Sequence, residues 1–174
     1  KIGRRLKVIL VPGNGAASVI APQLFRNLGF DVITINSQPD GTFPGRDPDP
    51  SAEGKEVLKE LSRLVTEARA DFGVAYDGDG DRAVFVDEKG ERVVPEKSGI
   101  IFARDYLSRG RGKIVANVSC SMILEDELSK TGGEVVRVRV GDVFITEAIK
   151  NQKAVFGMEI SSHFYFPDFY PFDD

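Results

Sequence analysis

The sequence predicts an α/β fold built as two similar three-layer α/β domains with mixed, largely parallel sheets. Three observations carry this expectation. The chain opens on an apolar run, a helical stretch and a second apolar run, and a strand–helix–strand unit is the mark of a parallel sheet. The unit returns in weaker form, with Lys7 and Leu28-Gly29-Phe30-Asp31-Val32 echoed by Lys113 and Gly132-Gly133-Glu134-Val135. Between the copies the pattern restarts around Val93–Pro95. The expected domains are therefore residues 1–94 and 95–174.

In chain order, Leu6 to Val11 reads as a buried strand and Pro12-Gly13-Asn14-Gly15 as a turn. A helix is expected from about Ala17 to Leu28, with Gly29 as its stop signal. Asp31 to Ile35 is the second strand. Pro39, Pro44, Pro48 and Pro50 then exclude a regular element and predict an ordered surface loop. Ser51 is the expected N-cap of a helix running to about Arg69. Its core stripe is Val57, Leu58, Leu61, Leu64 and Val65. Phe72 to Tyr76 and Ala83 to Asp87 have strand character. Glu88-Lys89-Gly90-Glu91 reads as a hairpin turn into the return strand Arg92-Val93-Val94. After Pro95 come a helix from Lys97 to about Ser108, a strand from Lys113 to Val118, a helix from Met122 to Lys130 and a strand from Glu134 to Val138. Beyond Arg139 only a glycine turn and the short apolar run Ala154-Val155-Phe156 are assigned.

The hexapeptide Asp77-Gly78-Asp79-Gly80-Asp81-Arg82 leaves a strand end, where open α/β sheets place their ligands. In extended backbone, alternate residues share a face, so its carboxylates would converge on one point. The glycines allow the backbone angles that a converging loop needs. Adjacent carboxylates repel one another unless a cation lies among them, and a hard divalent metal suits oxygen donors. Arg82 adds a planar fork matched to phosphate. The combination points to phosphate chemistry. Two other readings compete. A calcium EF-hand would take Asp77, Asp79, Asp81 and Glu88 as ligands. It requires glycine where Arg82 stands and helices where these flanks read as strands. A plain acidic surface turn needs no three aspartates in strict alternation.

A second constellation follows Ala154-Val155-Phe156. Glu159, Ser161 and His163 alternate along what reads as an extended segment. Carboxylate, hydroxyl and imidazole together accept and donate hydrogen bonds, which suits a polyhydroxy ligand. His163 is the chain's only histidine, and by itself it reads equally well as an ordinary histidine. Met158 reads as packing. Arg139 sits at a strand end before a glycine turn, and alone it reads as a solvated charge.

Composition narrows the classes. At 174 residues and 41% hydrophobic content the chain has material for two cores. A net charge of −4 argues against a nucleic-acid binder held by phosphate-backbone contacts. Cys120 is the only cysteine, so no intrachain disulfide forms, which fits a reducing cytoplasm. No apolar run approaches the ~20 residues that span a bilayer, and no signal peptide is visible. The chain runs from Lys1 to Asp174 without terminal signatures and reads as a piece of a larger protein.

These motifs resemble the α-D-phosphohexomutase family, which includes phosphomannomutase, phosphoglucomutase and phosphoglucosamine mutase. The family's D-G-D-G-D-R metal loop is matched at every position by Asp77 to Arg82. Its G-E-x-S-G-H sugar loop is resembled by Met158-Glu159-Ile160-Ser161-Ser162-His163. The Asn14-Gly15-Ala16 turn and the Pro39 to Pro44 loop are similar to family features. Phe172-Asp173-Asp174 resembles the F-D-D-G segment of the bifunctional phosphomannomutase/phosphoglucomutase branch. The resemblance covers the whole chain but implies only the middle two of four family domains. No T-A-S-H-N-P-like serine segment and no R-x-S-G-T-E-P-like phosphate loop occurs. Met158 and Ser162 stand where the family has glycine, and both are expected to add side chains beside the sugar site. Val138 stands where the family has the threonine of T-x-x-G, so only Arg139 and Gly141 carry over there.

The resemblance implies a Mg²⁺-dependent mutase of the mannose/glucose type. It would interconvert hexose 1-phosphate and hexose 6-phosphate through a phosphoserine and a sugar bisphosphate. Asp77, Asp79 and Asp81 would hold Mg²⁺, and Arg82 would steady the transferring phosphoryl group as a catalytic residue. Glu159 and Ser161 would hold sugar hydroxyls, with His163 and Arg139 on the sugar or its distal phosphate. The implied partners are a hexose phosphate and flanking domains of the same protein, with no nucleic acid and no membrane. The piece alone is expected to be inactive, because the phosphorylated serine lies outside it. Two alternatives stay open. One is a metal-dependent nucleotide-sugar transferase, which leaves the Glu159–His163 loop unexplained. The other is a non-catalytic metal-binding module.

Overall fold

A computed structural model describes residues 4–50 and 56–170. The chain divides into two compact units, Lys1–Val93 and Val94–Asp174. The expected N-cap Ser51 and the Phe172-Asp173-Asp174 segment lie outside the described residues.

The first unit runs β1 (Lys7–Val11), α1 (Ala17–Asn27), β2 (Asp31–Thr34), α2 (Glu56–Glu67), β3 (Phe72–Tyr76), β4 (Ala83–Asp87) and β5 (Arg92–Val93). The sheet order is β2-β1-β3-β4-β5. β1 pairs in parallel with β2 and β3, and the hairpin strands β4 and β5 add antiparallel pairing. Alternation along β1 builds the layers. Val8 and Leu10 pack with Ala21, Val74 and the α1 side chains Ala17 and Phe25. Ile9 and Val11 face the other way, against Leu58, Leu61 and Val65 of α2. Each such fully buried aliphatic side chain contributes roughly 1.5–3 kcal/mol of apolar transfer. α1 ends as Gly29 predicts: the Phe30 N–H reaches back to the Phe25 carbonyl at 3.1 Å, closing the last turn.

The second unit runs α3 (Pro95–Leu107), β6 (Gly112–Asn117), α4 (Ile123–Leu128), β7 (Gly133–Val138), α5 (Asp142–Gln152), β8 (Phe156–Met158) and β9 (Phe164–Tyr165). Its sheet order is β7-β6-β8-β9, with β6 parallel to β7 and β8, and β9 antiparallel to β8. The helix expected to reach Lys130 stops at Leu128 and tightens into a 3₁₀ turn, Ser129–Thr131. α5 was not expected. It buries Ile145 and Ile149 against Val115, Ala154 and Tyr165.

The two sheets share a plan. β2-β1-β3-β4 in one corresponds to β7-β6-β8-β9 in the other, including the direction of every pair. The weak sequence repeat thus reflects a repeated topology. In that plan the β3–β4 connection, which carries Asp77 to Arg82, is equivalent to the β8–β9 connection, which carries Glu159 to His163.

Candidate functional site

The acidic loop begins at the carboxyl end of β3. Asp77 is buried, Asp81 half-buried and Asp79 exposed, and one carboxylate oxygen from each lies within 4.8 Å of the others. The means of convergence differ from the expectation. The segment is a bent turn rather than extended backbone. Asp77 Oδ1 accepts the N–H of Gly80 at 3.0 Å and that of Arg82 at 3.1 Å, which folds the loop around its own first carboxylate. Arg82 closes it, with Nε 2.5 Å from Asp77 Oδ2 and one terminal nitrogen 3.0 Å from Asp49. Desolvation opposes charge on Asp77. The N–H of Arg82 and the side chains of Asp81 and Arg82 outweigh it, so the Asp77 pKa lies below the ordinary value. Burial likewise opposes the Arg82 cation, and Asp77 and Asp49 overcome it, leaving the guanidinium more firmly charged than usual. Hard oxygen donors at this spacing fit a small divalent cation. For Asp77 the ionised state that metal binding requires is already favoured.

Two neighbouring segments shape this loop. The Ala16 N–H bonds the Gly78 carbonyl at 2.9 Å. Gly15 runs so close that a Cβ there would stand 2.4 Å from the same oxygen. Asn14, with a left-handed φ of 63°, spends all its polar groups on the proline-rich segment. Its backbone N–H and C=O meet Asn36 and Asp40, and its side chain meets Gln38 and Gly45. The loop of residues 36–50 then folds over the strand ends. Phe43 and Pro48 pack beside Gly78.

Arg46 in that loop escaped the sequence reading. Its guanidinium donates to the carbonyls of Val11 and Tyr76, at the ends of β1 and β3, and to Asp47 at 2.6 Å. Burial lowers its pKa, with Asp77, Asp47 and Asp49 pulling the other way. Leaving such carbonyls unpaired costs about 1–3 kcal/mol each. A lone arginine among prolines gives no local signal, since its partners come from two strands distant in sequence.

In the second unit, Glu159 to His163 form a tight hairpin turn rather than an extended segment. The Glu159 N–H bonds the His163 carbonyl at 3.0 Å, and the Ser162 N–H bonds the Glu159 carbonyl at 3.2 Å. Ser162 completes the turn with a left-handed φ of 73°. The turn still gathers the three expected side chains: His163 Nδ1 lies 2.8 Å from Ser161 Oγ and 3.4 Å from Glu159 Oε2. Met158 corrects an expectation. Its side chain is fully buried and packs on Gly99 of α3, where a Cβ would stand 2.2 Å from its sulfur. It therefore adds bulk to the core and none to the turn of residues 159–163. Arg139 is exposed and its guanidinium lies 4.1 Å from the centre of the Phe144 ring, a cation–π stack rather than a free charge.

Cys120 lies just past β6, buried, with Sγ 3.4 Å from Asn117 Oδ1. Burial first, then the charge of Glu96, pushes its thiol up to about 12.

Comparison with known proteins agrees with this architecture. Residues 1–90 match the family described as phosphoglucomutase/phosphomannomutase, alpha/beta/alpha domain II. Residues 95–174 match the corresponding domain III. A probable phosphoglucosamine mutase of Methanosarcina acetivorans is 44% identical over 94% of this chain and 36% of its own length. A phosphoglucomutase/phosphomannomutase of Thermococcus kodakarensis is 39% identical over 95% of this chain and 36% of its own length. A crystal structure of a phosphoglucomutase/phosphomannomutase family protein from Burkholderia thailandensis superposes with a TM-score of 0.93 at 32% identity, covering 100% of this chain and 38% of that one. The chain thus spans a little over a third of the length of these relatives.

Proposed function

Because this chain belongs to the phosphoglucomutase/phosphomannomutase family, we propose that the protein containing it interconverts hexose 1-phosphates and hexose 6-phosphates. The observation that carries this reading is the convergence of Asp77, Asp79 and Asp81 on one point at a strand end, with Arg82 beside them. Asp77, Asp79 and Asp81 would hold Mg²⁺, which when bound neutralises and orients charge on a phosphoryl group. Arg82 supplies a planar donor fork to that group. Its present engagement with Asp77 and Asp49 keeps the fork folded over the loop. Glu159 and Ser161 bind sugar hydroxyls. A carboxylate accepts from a hydroxyl and a serine can do either, so the pair tolerates a sugar presented in two orientations. His163, held by Ser161, and Arg139, stacked on Phe144, meet the sugar or its distal phosphate. The serine that relays the phosphoryl group belongs to the part of the protein outside this chain.

The sugar is a hexose of the mannose or glucose type in our reading. Relatives named phosphoglucosamine mutase add glucosamine phosphate to the panel. The test is turnover of the whole protein on glucose, mannose and glucosamine 1-phosphates, with and without a chelator. Conversion to 6-phosphates that stops on chelation and returns with Mg²⁺ is the expected result. Asp79→Asn should remove most of the rate while the fold persists. Undiminished turnover in chelator would overturn the metal assignment.

A further inference from the structure

Glu159 is buried to within 5% of its surface, and its two oxygens have different surroundings. Oε1 accepts from Asn117 Nδ2 at 3.1 Å and from the Gly141 backbone N–H at 3.0 Å. Oε2 is left facing the His163 ring at 3.4 Å. Asn117 is the last residue of β6 and is 1% exposed. Gly141 immediately precedes α5, and Glu159 immediately follows β8. One carboxylate oxygen thus gathers the carboxyl ends of three successive strands.

We propose that Asn117 is a positioning residue for the Glu159 carboxylate, reserving Oε1 for the protein and aiming Oε2 at the ligand. This rests on the reading of Glu159 as a sugar-binding group. The chemistry singles out an amide at this position. An aspartate of the same shape would set two carboxylates against each other, with no donor between them. The amide's orientation is itself determined: the Cys120 thiol is the donor to Oδ1 at 3.4 Å, so the NH₂ group faces Glu159. The strand end beneath is braced by Arg137. One of its terminal nitrogens donates to the carbonyls of Asn117 and Cys120, both at 2.9 Å, while Glu125 holds the guanidinium from the other side. Asn117 cannot drift without breaking this bracing, so its Nδ2 is a fixed point for Glu159 to dock on. An acceptor held by two fixed donors loses a rotational freedom that a sugar hydroxyl would otherwise have to remove on binding.

The test is made in the whole protein, with kinetics and a melting curve for Asn117→Ala, Asn117→Asp, Glu159→Ala and the double variant Asn117→Ala/Glu159→Ala. Asn117→Ala should raise KM for hexose phosphate by about tenfold or more, the size expected for a lost bond to a charged group. It should leave kcat within a few-fold. Asn117→Asp should be at least as damaging despite its unchanged shape. In the Glu159→Ala background, Asn117→Ala should have no further effect on KM, because its only route to the ligand is gone. A second readout needs no turnover. His163 is the only histidine in this chain, so its ring ¹⁵N resonances in the 174-residue chain report on Glu159 Oε2. Both Asn117 variants should shift them. If Glu159→Ala is damaging while Asn117→Ala and Asn117→Asp keep wild-type KM and unshifted resonances, the positioning role is overturned and the reading of Glu159 stands. If Glu159→Ala is itself silent, that reading falls and this one with it.

Discussion

At the scale of single residues, Ser162 holds a backbone conformation that L-residues avoid, with φ of 73° in the turn that carries Glu159, Ser161 and His163. The left-handed region costs a side-chain-bearing residue about 1–2 kcal/mol. Ser162→Gly should therefore stabilise the chain by up to ~1 kcal/mol after the extra backbone entropy of glycine is counted. In a thermal melt that is a rise of about 2–4 °C; a fall would mean that the buried hydroxyl contributes more than the strain costs. Asp71 makes a second residue-scale case. It accepts from Arg4 and from the Lys7 backbone N–H, and Arg4 first among these holds its pKa down at about 2 rather than 3.8. A depressed carboxylate stabilises the fold above its ordinary pKa and loses that contribution as pH falls through the folded value. Asp71→Asn should thus lower the urea midpoint at neutral pH and flatten its decline between about pH 4 and about pH 2. The effect should shrink in high salt, because Arg4 is exposed.

At the scale of elements, Gly15→Ala should push the acidic loop, since the new methyl would meet the Gly78 carbonyl. Overpacking of this kind costs about 1–3 kcal/mol. The expected signature is weakened Mn²⁺ binding by electron paramagnetic resonance with unchanged far-ultraviolet dichroism. Intact Mn²⁺ affinity would show that the loop is not set by this contact. The strands β1 to β7 and most helices were legible because apolar periodicity and glycine or proline punctuation agreed, whereas the two-residue strand β9 is too short to show a period. α5 was not legible. Val143, Ile145, Thr146 and Ile149 are β-branched and carry weak helix propensity, and packing of Ile145 and Ile149 against Val115 decided the matter. In the two candidate loops the sequence pattern marked side chains that the structure brings together, while the backbone geometry was not legible. Strict alternation suggested extended backbone, while Asp77 accepting two backbone N–H groups and Ser162 turning left-handed bend both segments. Asn117 and Arg46 act through partners from other strands, so no local spacing announces them.

At the scale of the whole molecule, each unit has its own sheet, its own helical layers and one candidate site loop at the equivalent strand end. A divalent ion bound by the first unit should stabilise that unit by mass action, with Tm rising with ion concentration. Asp79→Asn should abolish the concentration dependence; an undiminished rise in that variant would place the ion elsewhere. The two units also differ in covalent chemistry. The only sulfhydryl in the chain is Cys120, enclosed in the second unit and pushed up to about 12. A disulfide reagent at neutral pH attacks thiolates it can reach, so the native chain should remain dark to it and react with single stoichiometry once opened. Followed along a urea series, that reaction becomes a clock for the opening of the second unit alone, with no label introduced and no residue changed.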